Sequence, residues 1–172
     1  MLWVWRFLLY SFLGFLLEVA FARAIHSPKL DRKCLVLLPL CPVYGFGAVL
    51  ILWLARRLDA GPLGIMALGF VCATVVEYAM DLFYDRVLGV RFWDYTQLRF
   101  NLRGRVCLTF SLCWTGLALV LVYLLAPLTD QLLASIPAVL GPPALIVLMC
   151  DGAVSGLALR RTGTTDVLRW YR

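Results

Sequence analysis

Three acids lie where an acid is costly. Glu18, Glu77 and Asp151 each interrupt an apolar run of about twenty residues, long enough to cross a membrane. An ionisable side chain in such a run is expensive unless it meets a partner, a water-filled cavity or a substrate. A carboxylate there can bind a cation, act as a general base, or hold a structural arginine. The densest polar stretch is 91–111, RFWDYTQLRFNLRGRVCLTFS, which supplies Asp94, Tyr95, Asn101, Arg105 and Ser111. Arginines at a membrane surface suit phosphate recognition. Asp94 or Glu77 has the chemistry of a base. Tyr44 adds a hydroxyl near the start of the second apolar run.

The elements that must position these groups are membrane helices. The 172-residue chain is 63% hydrophobic, against about 45–50% in ordinary soluble domains. Five apolar segments qualify as spans: 2–22, 34–55, 61–80, 106–126 and 141–159. The expected fold is all-α, a polytopic bundle of about five transmembrane helices forming one integral membrane domain over 1–172. The first segment reads as a retained span rather than a cleaved signal, because it lacks a basic leading region and carries Glu18 close to the Ala22-Arg23-Ala24 site.

Lys and Arg divide unevenly between the connecting segments. Thirteen fall on one side (Arg23, Lys29, Arg32, Lys33; Arg86, Arg91, Arg99, Arg103, Arg105; Arg160, Arg161, Arg169, Arg172) and three, Arg6, Arg56 and Arg57, on the other. The excess of basic residues marks the cytoplasmic face. The N-terminus is therefore expected outside and the C-terminus inside, with loop 81–105 cytoplasmic. The tail 160–172 has an amphipathic look suited to the inner interface. Basic residues that flank apolar spans point to anionic lipid headgroups and not to nucleic acid.

On this orientation the acids share one half of the membrane. Glu18 lies about 7.5 Å, and Asp151 roughly 13 Å, from the nearest basic boundary of its helix. Ser11, Gly14 and Glu18 recur on one helical face, as do Gly69, Ala73 and Glu77, and Cys107, Ser111 and Thr115. Such stripes of small residues let membrane helices pack closely. They do not account for the acids. Two readings stay open: Glu18 or Glu77 pairs with Arg105, or an inward-facing polar cavity is lined by Glu18, Tyr44, Glu77, Ser111 and Asp151. In the second reading Asp94, Asn101, Arg103 and Arg105 form the cytoplasmic mouth. Leu13-Gly14-Phe15 before Glu18, and Leu68-Gly69-Phe70 before Glu77, hint at a duplicated hairpin.

The motifs resemble a bacterial family of CmpB-like permeases, ABC-transporter type IV. The resemblance rests on YSFLGFLLEV at 10–19, LPLCPVYGFG at 38–47, VVEY at 75–78, FWDY at 92–95 and FNLRGRVCLTFSL at 100–112. Leu38 stands where that family carries glycine, and NLRGR replaces NLNGR. The resemblance implies an integral membrane protein of the cell membrane with a permease role. A separate ATPase subunit would then be needed, since the chain has no GxxxxGK[ST] loop.

Three functions fit these residues. One is a transport component that binds a small cationic or amphipathic substrate through Glu18 and Glu77. The second is a membrane enzyme acting on a lipid-linked or polyprenyl substrate, although no HxxxD, DDxxD or Ser-His-Asp arrangement is present. The third is a non-catalytic partner whose loop binds another protein or lipid. No cofactor is expected. No metal site is expected either, with His26 the only histidine and no CxxC pair.

Overall fold

The structure is a computed structural model and describes residues 1–27 and 33–169. Lys29, Arg32, Trp170, Tyr171 and Arg172, which entered the charge and tail readings, lie outside the described residues. Five helical rods run up and down: α1 Leu2–Ala24, α2 Pro42–Arg57, α3 Pro62–Leu88, α4 Leu108–Ser135 and α5 Gly141–Thr162. A two-stranded antiparallel hairpin, β1 Asn101–Leu102 and β2 Val106–Cys107, precedes α4.

Among the described residues four helices are long and apolar enough to cross a membrane, and α2 is not one of them. The expected span 34–55 is corrected: residues 34–41 are non-helical, and α2 is 16 residues long. The cause is local. Pro39 and Pro42 withhold two backbone donors, so the helix starts only where Pro42 can occupy its first turn with Cys41 as cap. The 81–105 loop is also shortened, because α3 continues to Leu88.

α3 contains two wider π-type turns, at Gly69–Ala73 and Tyr84–Leu88, and α4 contains one at Leu121–Leu125. These turns shift the faces that the two helices present. Small residues set the helix crossings. A Cβ on Gly14 would run into the Tyr44 ring, and one on Gly69 would meet Ala118 and the Trp114 carbonyl. The main core joins α1, α2, α3 and α4 through Tyr10, Ile51, Leu52, Ile65, Ala118 and Leu121. A second cluster of Tyr84, Val90, Leu159 and Leu168 ties the end of α3 to α5 and to the segment after it. Leu168 is therefore buried in the protein. Outward faces carry Leu16, Val71, Val75, Leu124, Ile146 and Met149. A broad apolar exterior of this kind suits lipid contact.

The alternating rods give the bundle two ends. The start of α1, the ends of α2 and α4 and the start of α5 meet at one end, where Arg6 contacts Asp130 and Met1 contacts Gly141. The end of α1, the start of α2, the end of α3 and the hairpin meet at the other, around Glu77.

Candidate functional site

The Glu77 end holds a row of acids and aromatics. Glu77, on the inner face of α3, is 4% exposed. Its carboxylate accepts from the Tyr95 hydroxyl at 2.8 Å and from the Trp114 indole N–H at 3.2 Å. Trp114 packs on the Tyr44 ring with centroids 4.9 Å apart. The Tyr44 hydroxyl donates to Glu18 Oε1 at 2.7 Å. Five side chains from α1, α2, α3, α4 and the loop after α3 thus join in the order Glu18, Tyr44, Trp114, Glu77, Tyr95. Phe110 stacks on Tyr95 at 4.9 Å. Ser111 sits beside the row and accepts a 2.8 Å hydrogen bond from Thr74.

Burial raises the Tyr95 hydroxyl well above its ordinary range, and the neighbouring Glu77 charge raises it further. Tyr95 therefore stays protonated and remains a donor. Among the described residues neither Glu18 nor Glu77 has a cation at ion-pair distance. Their charge meets only hydroxyl and indole donors.

The arginine of the loop goes elsewhere, which corrects the expected pairing of Arg105 with Glu18 or Glu77. Arg105 binds Asp81 and Asp85 on the next turns of α3. The bond to Asp85, followed by that to Asp81, raises the Arg105 guanidinium further above its already high range. Arg91 approaches Asp81 at 3.6 Å and Asp94 at 3.7 Å. Asp81 is fully buried, so both arginines are drawn toward α3 rather than into an open mouth.

Asn101 and Asp94 shape the loop itself. Asn101 accepts from the Gly104 N–H at 2.8 Å and donates to the Leu98 carbonyl at 2.7 Å. Asp94 accepts from the Thr96 N–H at 3.0 Å, and this bond holds its carboxyl below the usual range. Gly104 has φ +68°, and a Cβ there would press on Thr96 and Asp94. Only glycine adopts that backbone at low cost.

Asp151 does not join the row. Its carboxylate accepts from the Leu37 N–H at 3.0 Å and the Leu38 N–H at 2.7 Å. Ser155 donates to it at 3.2 Å and accepts from the Val36 N–H at 2.8 Å. The non-helical segment before α2 has backbone donors with no helical partner. Asp151 and Ser155, four residues apart on α5, satisfy them.

The helices leave a cavity of about 250 Å³ between α1, α2 and α4. Tyr10, Leu13, Leu17, Ile51 and Leu121 line it, with Tyr44 and Trp114 on its wall toward the acids. Its wall is apolar, and of the polar and charged residues singled out in the sequence only Tyr44 belongs to it. The polar groups expected to line a cavity are instead engaged with one another.

Sequence reasoning missed several members. Trp114 lay unread between Ser111 and Thr115. Asp81 and Asp85 continue the face of Glu77 at four-residue steps, a visible signal for a charged stripe. The charge count places Arg6 on the less basic side and gives it no partner. It is 1% exposed and binds Asp130 through two nitrogens, at 2.9 and 2.7 Å. Arg56 reaches the same carboxylate at 2.8 Å.

Among the described residues no three His, Cys, Asp or Glu side chains converge on a metal position. Cys34 and Cys41 bring their sulfur atoms to 3.9 Å.

No curated protein and no solved structure matches the chain. The profile of a family described as Putative ABC-transporter type IV matches residues 5–155, which include the acid and aromatic row, the hairpin and Asp151. The chain belongs to that family.

Proposed function

We propose that this protein is the membrane component of a transporter, and that Glu18 and Glu77 receive a cationic substrate. The observation that carries this reading is a pair of carboxylates with no cation at ion-pair distance among the described residues. Every other buried or half-buried acid described above has an arginine or a set of backbone donors. Holding an unpaired charge away from water is expensive. A cationic ligand removes that cost, and Tyr44 and Trp114 offer it aromatic faces as well.

In this reading the chain crosses the plasma membrane five times as one domain. The short α2 makes its crossing enclosed by its neighbours, with half of its residues buried. The N-terminus lies outside and the C-terminus in the cytoplasm, in keeping with the bias of basic residues toward the Glu77 end. The segment from Gly89 to α4, braced by Arg105 and Trp93, then faces the cytoplasm and is the surface that docks an ATPase subunit.

The test is counterflow of labelled tetraethylammonium in proteoliposomes. The wild-type chain is expected to exchange it. Glu77→Gln and Glu18→Gln should each lower exchange by at least roughly tenfold, the worth of one charge-assisted contact. Undiminished exchange in both carboxamide variants overturns the reading.

A further inference from the structure

We infer that the apolar cavity between α1, α2 and α4 is the second half of the same site and holds the single hydrocarbon chain of a cationic amphiphile. The proposal rests on the transport reading for the head group, and adds the tail and the residue that limits it.

Three observations lead there. First, the cavity adjoins the unpaired charge. Leu17 and Tyr44 lie on its wall, and Tyr44 carries the hydroxyl bound to Glu18. Second, its size selects the occupant. Drug-sized ligands fill about 300–1,000 Å³, and this cavity offers about 250 Å³. That suits one chain and not a diacyl lipid or a fused ring system. Third, the helices that form the wall are tied together. Tyr10, on the wall, forms a 3.1 Å hydrogen bond with Thr129, which joins α1 to α4 at the end away from Glu18. A phospholipid head is disfavoured because its phosphate would face Glu18, like charge against like.

Gly47 sets the limit on the tail. It lies on the cavity wall, and a Cβ built there meets no atom within 4 Å. A Cβ at this position enters space that the tail would occupy without displacing a neighbour, and a longer side chain reaches further into that space. The head-group contacts stay as they are.

The test is calorimetric binding of tetramethylammonium and of hexyl-, octyl- and decyltrimethylammonium to the full chain in zwitterionic nanodiscs, corrected for empty discs. Gly47→Leu is expected to leave tetramethylammonium affinity within about twofold. It should lower decyltrimethylammonium affinity by roughly fifteenfold to sixtyfold, the worth of two or three excluded methylenes. Equal losses for the short and the long cation, or none for either, overturn the tail site. A co-purifying diacyl phospholipid that blocks all four probes overturns it as well. Photolabelling of the wild-type chain with a diazirine-tailed alkylammonium keeps the test independent of the variant. Label on Leu13, Ile51 or Leu117 supports the proposal, and label confined to the outward Leu124 and Leu128 overturns it. Tetramethylammonium binding with no effect of chain length removes the tail site and leaves the transport reading intact. Alkylammonium binding without counterflow removes the transport reading and leaves the site.

Discussion

The two ends of the bundle treat buried charge in opposite ways. At the Arg6 end one carboxylate, Asp130, serves two guanidinium groups, and Trp3 lies 4.5 Å from one of them and 5.9 Å from the other. At the Glu77 end two carboxylates share three neutral donors, Tyr44, Trp114 and Tyr95. The first arrangement pairs its acid with cations and ties α1, α2 and α4 together. The second is complete in hydrogen bonds and incomplete in charge. One turn beyond Glu77 the chain had matched arginines at hand, since Arg105 and Arg91 gather on Asp81. None of them reaches Glu77. The contrast separates acids that hold the fold from acids that await something else.

The largest effect should come from the Arg6 end. Asp130→Ala strands the buried Arg6 guanidinium, whose Nη1 already lacks a partner among the described residues. Removing one partner of a buried pair costs about 3–5 kcal/mol. A thermal midpoint in detergent lowered by many degrees is the expected result. A midpoint close to wild type would mean that Arg6 finds water or lipid headgroups, and the contrast between the ends would fall.

Asp151→Ala should come next. It orphans the Leu37 and Leu38 N–H groups and the Ser155 hydroxyl, at about 2–3 kcal/mol in total. The damage should be local. Hydrogen exchange should rise across 34–41 and stay protected in α3. Exchange that rises equally in α3 would place Asp151 in the acid row after all.

Parts of this contrast are visible in the sequence and parts are not. Glu18, Tyr44, Glu77 and Ser111 stand out because acids and hydroxyls are rare in apolar runs, helical spacing puts Glu18, Glu77 and Ser111 on small-residue faces, and Tyr95 stands out as part of the polar stretch 91–111. The structure brings those five to one end. What the sequence withholds is pairing at a distance. Arg6 and Asp130 are 124 positions apart, and no periodicity links them. Arg105 pairs with Asp81 and Asp85 rather than Glu77, and that choice depends on where the hairpin turn at Gly104 delivers it. Asp151 looks like Glu18 and Glu77 in hydropathy. It differs because the prolines at 39 and 42 leave a non-helical segment opposite it, and hydropathy does not record unpaired backbone donors. The same prolines shorten α2, which reads as full length when only apolar residues are counted.

A smaller effect on stability, with a larger one on function, is expected at Glu77. Glutamine keeps an acceptor for Tyr95 or Trp114 and removes the unpaired charge. Glu77→Gln should therefore shift stability by about 1 kcal/mol or less. The same substitution should weaken binding of tetramethylammonium in nanodiscs. A loss of stability as large as that of Asp130→Ala would make Glu77 a structural acid, and the two ends would no longer differ in kind.

The smallest change belongs to Arg56, which shares Asp130 with Arg6 but is half exposed, at 53% against 1%. An exposed ion pair is worth about 0.2–1 kcal/mol. Arg56→Ala should lower the melting temperature only slightly, because the two-nitrogen contact from Arg6 keeps Asp130 neutralised and α1 tied to α4. Its value lies in the double variant. If Arg6 alone carries the end, the effects of Arg56→Ala and Asp130→Ala combined should nearly equal that of Asp130→Ala, since the second change has already removed the partner of the first. Full additivity would show Arg56 acting through Trp3 or the adjoining Asp59 instead. The closed end would then rest on two separate contacts rather than on one shared carboxylate.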